Sequence, residues 1–211
     1  MEKVLLLHGP IPSMGINAVT QRIHTGTEAR KQQDIKFVFN SEPNIIALSY
    51  AFRALGYKIC YSGWKEDQAW LEKNSDLFDG IVISDQSPLK TESRSGSLVL
   101  PNVKEKLYFS SLQGLREVER LYGSDALVFR LRSDVSVRPD LANAEMERLR
   151  YAPTSVWVEY FRNDNLFYFP DFLMATGAGV MRAIYESLYN RSVAGNDYHV
   201  SSHIEHCLTC I

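Results

Sequence analysis

Cysteine is scarce in this chain of 211 residues: Cys60, Cys207 and Cys210 are too few and too unevenly placed for a disulfide framework. A reducing compartment is therefore expected, with the sequon Asn190-Arg191-Ser192 left unused. Long apolar runs are missing as well. The opening MEKVLLLHGP has only four apolar residues in a row after its charged pair, too short for a secretory leader. The longest apolar tract, FLMATGAGVM (172–181), is about half of a spanning length and carries glycines. No membrane span is expected, and the chain reads as soluble and cytoplasmic. Neither charge sign dominates, with 23 Lys plus Arg against 25 Asp plus Glu and a net charge of -2. That balance excludes a global electrostatic grip on nucleic acid or anionic lipid, so partners must be recognised at local sites. Three common phosphate or acyl motifs are also absent. There is no G-x-x-x-x-G-K-[ST], no G-x-G-x-x-G after the first strand-like run and no G-x-S-x-G elbow.

What the chain does have is core-forming material, 45% hydrophobic and 11% aromatic, enough for one domain over residues 1–211. Short β-rich runs alternate with helical patterns, which predicts strand-helix-strand units around a mainly parallel sheet. KVLLLHG (3–9), YKICYSGW (57–64) and DGIVISD (79–85) read as the first three strands. ALVFRLRSDVSV (126–137) reads as the fourth. Helices are predicted over 44–56, stopped by Gly56, over 65–78, over 102–123, from Pro139 to 149, over 177–190 and over 199–210. The long helix places Val103, Leu107, Ser110, Gly114, Val118 and Leu121 on one side, small residues marking close approach to the sheet. Residues 155–161 and 166–176 are two further aromatic strands. The Ser- and Gly-rich 86–101 reads as a mobile surface loop, and the polar 12–43 as an insertion that could form a hairpin, with a β-like patch at 35–39.

In an open α/β sheet, ligands sit beyond the carboxyl ends of the strands. Those ends read His8-Gly9-Pro10, Ser62-Gly63-Trp64, Ser84-Asp85 and Arg130-Leu131-Arg132-Ser133-Asp134. Glycine permits close backbone approach and tryptophan offers a stacking face. Aspartates suit ribose hydroxyls, base N–H groups or a hard cation, and arginines suit phosphate. Together they describe a nucleotide diphosphate site. Each residue alone has an ordinary reading: Trp64 as core, Asp85 as organiser of its Ser-Pro turn, Arg130 and Arg132 as partners of glutamates on a covering helix. Coincidence at four strand ends favours the functional one. His199, His203, His206, Cys207 and Cys210 offer two ligand pairs, yet a closed zinc site along one helix has no partner element.

The ordered pieces HGPI, YSGW, DGIVISDQSP, NVKEKLYFSSLQGL, FRLRSD, FPDF and IEHCL resemble the WavE-like lipopolysaccharide-synthesis glycosyltransferases, which look like GT-A fold enzymes. Length and order also resemble the N-terminal glycosyltransferase domain of a larger chlorella-virus protein. That would imply a host cytoplasm and further domains of a longer polypeptide, as would the ending HCLTCI. The resemblance implies transfer of a hexose or deoxyhexose from a nucleotide diphosphate sugar, a UDP-sugar by preference, to a glycan acceptor. Asp134 would hold Mn2+ or Mg2+ against the donor diphosphate, although Ser133-Asp134-Val135 has one carboxylate where the usual motif has two. Arg132 and Arg130 would bind phosphate or donor sugar. Asp171, between aromatics, is the expected base for the acceptor hydroxyl, or its orienter if configuration is retained, with Glu205 a second candidate. His8, Gly9 and Pro10 would surround the nucleotide, Trp64 pack on base or ribose and Asp85 hydrogen-bond them. Asn102 and Lys106 would face phosphate at a helix start. Two other readings stay open: a sugar-nucleotide nucleotidyltransferase, which should carry a lysine in HGPIPSMG, and a catalytically silent nucleotide- or glycan-binding module.

Overall fold

A computed structural model describes residues 1–16, 36–89, 92–95, 98–101, 103–158 and 173–194. Strand β1 (Lys3–His8) is central in a six-stranded sheet. On one flank lie β4 (Lys58–Trp64) and then β5 (Gly80–Ser84). On the other lie β8 (Leu127–Arg132), β10 (Leu173–Gly177) and β9 (Trp157–Val158). β5, β4, β1 and β8 run parallel, while β10 is antiparallel to both β8 and β9. The fold is thus α/β, with a mostly parallel sheet flanked by helices, as the alternation of patterns predicts.

Two faces of one strand feed two cores. Leu5 and Leu7 of β1 point into a cluster with Ile45, Leu48 and Phe52 of helix α1 (Glu42–Ala54) and Met146 of α4 (Pro139–Leu149). Val4 and Leu6 point into a second cluster with Leu112, Leu115 and Val118 of α3 (Val103–Tyr122) and Met181 and Ile184 of α5 (Ala178–Val193). The split follows from handedness. The chain steps outward from β1 to β4 to β5, then reverses to β8, and right-handed crossovers in opposite directions place their helices on opposite faces. β1 and β8 are neighbours across that reversal, so the sheet's switch point lies between them.

Gly114 shows why the long helix carries small residues. A Cβ there would meet Leu6 Cδ1 at 2.8 Å and Ser62 Cβ at 2.9 Å, so α3 packs against β1 and β4 with no room for a side chain. Gly56 ends α1 at φ +80°, a backbone that favours glycine.

Several expectations are corrected. The fourth strand stops at Arg132 rather than at 137: the Ser133 N–H makes the last ladder bond, to the His8 carbonyl (2.9 Å), and the chain then turns, the Val135 N–H donating back to the Arg132 carbonyl (3.1 Å). Residues 86–101 are not simply a loop: β6 (Glu92–Ser95) and β7 (Leu98–Pro101) pair as a hairpin. Helix 65–78 is broken into 3-10 turns at 65–67 and 75–77 around α2 (Gln68–Lys73), where the Asn74 side chain donates to the Trp70 carbonyl (2.8 Å). The described strands at the predicted 155–161 and 166–176 are β9 within the first and β10, which runs one residue past the second to Gly177. The hairpin expected in 12–43 is present as β2 (Pro12–Ile16) against β3 (Lys36–Asn40), a sheet of its own between β1 and α1. The predicted helix 199–210 lies outside the described residues. Among the described residues no helix is long and apolar enough to cross a membrane.

Candidate functional site

The rim at the switch point is built from the residues following β1 and β8. Gly9 adopts φ +113°, which a side chain would strain, and its carbonyl accepts the Tyr61 hydroxyl (2.9 Å). Burial drives the Tyr61 phenol's pKa far above its ordinary value, so the hydroxyl keeps the proton it donates. The Gly9 N–H donates to the Ser62 carbonyl (3.3 Å) and the Ile11 N–H to Asp67 Oδ2 (3.4 Å). From the β8 side, Ser133 Oγ donates to the Pro10 carbonyl (3.1 Å). The turn after β8 is pinned in its turn by Asn44 of α1. Its Nδ2 donates to the Ser133 (2.8 Å) and Val135 (3.0 Å) carbonyls, while its Oδ1 accepts from Ser136 Oγ (2.7 Å). His8-Gly9-Pro10 and Arg132-Ser133-Asp134 therefore form one braced unit. The backbone N–H groups of Gly9 and Ile11 already serve this brace, so the loop's contribution is a fixed shape more than a nest of amides for an anion.

Arg132 and Asp134 face each other across the turn. Arg132 Nε lies 2.9 Å from Asp134 Oδ1 and Arg132 Nη2 lies 2.5 Å from Oδ2, a two-pronged pair with side chains 30% and 19% exposed. The carboxylate next to the two arginines is thus a partner of the second.

Arg130 sits one layer deeper on the same face and is wholly buried. Its Nε donates to Ser111 Oγ of α3 (2.9 Å), and its guanidinium carbon stands 4.6 Å from the centre of the Tyr185 ring on α5. Hydrogen bonding and the aromatic face offset part of the cost of burying that charge. Its place is below the rim rather than on it.

His8 is in register with Arg132 and 1% exposed, and neither ring nitrogen has a hydrogen-bond partner. Burial, with Arg130 and Arg132 adding repulsion, lowers its pKa well below 6.5, so the folded chain holds it neutral. The linkage has a definite sign: below pH 6.5 the unfolded chain takes up a proton that the folded chain refuses, so stability falls as pH falls. We expect urea titrations of the native chain to carry a component of about 1.4 kcal/mol per pH unit below that point. His8→Leu should lack it, and identical pH profiles for the two proteins would refute the neutral, buried histidine.

The other expected residues are placed as follows. Trp64 is 6% exposed, its ring stacked 6.5 Å from that of Phe109 on α3, so this face is covered by the helix. Asp85 is exposed. It accepts the Ser87 N–H (2.8 Å), which holds its carboxyl below the ordinary range, and Lys65 lies 3.9 Å away. It organises its own turn, on a strand about 14 Å across the sheet from β8 by the usual strand spacing. Lys106 is half-buried in the first turns of α3. Asp171, Asn102, Glu205 and the histidines and cysteines of 199–210 lie outside the described residues. Tyr61, Asn44, Ser133 and Asp67 are bracing residues that sequence reading did not single out. Only Asn44, a polar residue in the first turn of an otherwise apolar helix face, left a trace in the pattern.

Among the described residues no three His, Cys, Asp or Glu side chains gather as a metal site. Asp134 alone, with both oxygens gripped by Arg132, fits a divalent cation only where a ligand's own phosphates complete the coordination.

No protein-family model and no curated protein matches the sequence. Among solved structures, the chain is similar to 4-diphosphocytidyl-2C-methyl-D-erythritol synthase from Anaerococcus prevotii DSM 20548. The identity is 14% and the TM-score 0.42, over 88% of this chain and 74% of that one.

Proposed function

We propose that the chain is a glycosyltransferase of the WavE-like kind, moving a hexose or deoxyhexose from a nucleotide diphosphate sugar, by preference UDP-linked, to a glycan acceptor. One observation carries the reading: the Arg132–Asp134 pair stands partly exposed at the switch point, beside the braced Gly9–Pro10 loop. An open parallel sheet presents a ligand with that place. The ordered motifs that resemble the family support it from the sequence side.

In the reaction, the acceptor hydroxyl attacks the donor's anomeric carbon, the bond from that carbon to the phosphate oxygen breaks, and the nucleoside diphosphate leaves with the electron pair. Arg132 meets the charge that grows on the leaving group with charge-assisted hydrogen bonds. The hydroxyl proton goes to Asp171 in an inverting transfer; in a retaining one Asp171 orients the sugar. Mn2+ or Mg2+, held by Asp134 together with donor phosphates, would supply Lewis-acid neutralisation of the diphosphate. His8, uncharged, stands beside Arg132 on the neighbouring strand without adding a third positive charge to the arginine pair. Asp85, exposed at a neighbouring strand end, and Asn102 and Lys106 would line the nucleotide side, while Trp64 packs beneath it against Phe109.

The test is a thermal-stability titration with nucleosides, nucleoside diphosphates and sugar nucleotides, with and without Mn2+, followed by a donor-hydrolysis assay. A ligand at 100 times its Kd stabilises by about 2.7 kcal/mol, a readable shift. The expected result is a shift with a nucleoside diphosphate and slow release of that diphosphate from one sugar donor. Release of pyrophosphate from a nucleoside triphosphate and a sugar phosphate would make the chain a nucleotidyltransferase instead. Binding without turnover of any donor would make it a silent module, and no shift with any nucleotide would end the reading.

A further inference from the structure

We propose that His8 is a hydroxyl-recognising binding residue: its ring hydrogen-bonds a hydroxyl of the sugar nucleotide, on the ribose or on the transferred sugar, beside the diphosphate. This rests on the reading above and deepens it. His8 is 1% exposed, and neither ring nitrogen has a hydrogen-bond partner among the described residues. Burying polar atoms without partners opposes folding, and a further leucine at the end of KVLLLH would have avoided that cost. The imidazole is accounted for once a ligand supplies what the fold does not.

The ring's neighbours place it. Ser62 stands in register on β4, and its hydroxyl is already given to the Ser110 carbonyl of α3 (2.7 Å). Arg132 stands in register on β8, one strand spacing of about 5 Å away. Strand phase puts His8 with Val4 and Leu6, on the face covered by α3 and α5. The chain beyond it leaves for the other face: Gly9 turns at φ +113°, its carbonyl accepts from Tyr61, and Ile11 joins the core beneath α1. His8 is therefore the last side chain of the central strand on its own face, at the switch point where an open sheet takes a ligand. Charge then selects the ligand group. Burial and the two arginines keep a second proton off the ring, so one nitrogen carries a hydrogen and the other a lone pair. A sugar has several hydroxyls, each able to donate or accept, and can meet either nitrogen. A diphosphate offers acceptors alone and would leave the lone pair unmet unless the ring gained a proton.

Ring-nitrogen NMR of the chain carrying isotope-labelled histidine tests the contact at neutral pH, with the His8 signals assigned by their absence from His8→Leu. The probes are UDP and UDP-glucose, each with Mg2+, which does not broaden the spectra. The expected result is a shift of the lone-pair nitrogen of His8 on binding, with the ring keeping its single proton. By calorimetry, His8→Leu should bind the same probe about 10-fold more weakly, the loss of a hydrogen bond in a place shielded from water. His8→Asn, which keeps a donor and an acceptor, should recover part of that loss. An effect already complete with UDP assigns the contact to the ribose, and one that appears only with UDP-glucose assigns it to the transferred sugar. A ring that gains a second proton in the complex marks a phosphate contact and overturns the proposal. His8 signals that stay in place when a probe binds also overturn it, whatever the affinity of the variants, and the site reading then stands. If the native chain binds neither probe, both fall together. Melting curves confirm that each variant is folded.

Discussion

If the chain transfers sugar as proposed, Asp134→Ala should remove the part of donor binding that depends on a cation and reduce transfer by a factor on the order of 10²–10³, while leaving the fold intact. The size follows from what electrostatic partners of a leaving group contribute when they act in a partly enclosed site. The fold survives because the Arg132–Asp134 pair, with side chains 30% and 19% exposed, is worth less than about 1 kcal/mol to stability. The measurement is paired: turnover and Mn2+-dependent melting shift on one side, melting temperature without ligand on the other. Turnover within about threefold of the native chain, well short of the loss expected, would remove Asp134 from the chemistry. A melting temperature that collapses without ligand would instead assign it to the fold.

Phe129→Ala should cost about 3–5 kcal/mol, a large share of the 5–15 kcal/mol that a domain usually has. Phe129 is fully buried at the middle of β8, in register with Leu5 on one side and Ala175 on the other. Its ring stacks 5.6 Å from Phe52 of α1 and lies 6.0 Å from Trp157 of β9, so the truncation empties the meeting point of a helix and two strands. Rigid β neighbours on both sides leave little room for collapse. Urea unfolding checks it, with Tyr151→Ala as the reference: Tyr151 is 92% exposed, and its loss should change stability by less than about 0.5 kcal/mol. A Phe129 loss under about 1.5 kcal/mol would mean the layer repacks around the hole.

Much of the architecture was legible because periodicity is a local property. KVLLLH has to be a strand covered on both faces, and Gly114 among larger residues announces a helix lying close on a sheet. Handedness then orders the layers. The rim was legible in part: the motifs after β1 and β8 meet, as the strand-end argument requires. Trp64 was read as an open stacking face because its neighbour Phe109 arrives from 45 residues further along the chain, and no local signal records that cover. The end of β8 was misplaced for a similar reason: Val135 and Val137 keep the β rhythm, and the strand is stopped by the turn bond from the Val135 N–H to the Arg132 carbonyl, with Asn44 of the distant α1 holding the Ser133 and Val135 carbonyls.

By itself the sequence determined an α/β chain with short strands, a long helix on a tight interface, and an arginine-carboxylate cluster after the fourth strand. Tertiary structure decided how that cluster is used. Two arginines of identical strand phase part company, Arg130 sealed against Ser111 and Tyr185, Arg132 turned back on Asp134 at the rim. Strand phase fixes which face a side chain takes, but depth beneath a covering helix is set by where that helix begins and what it carries, which is settled only when distant segments pack.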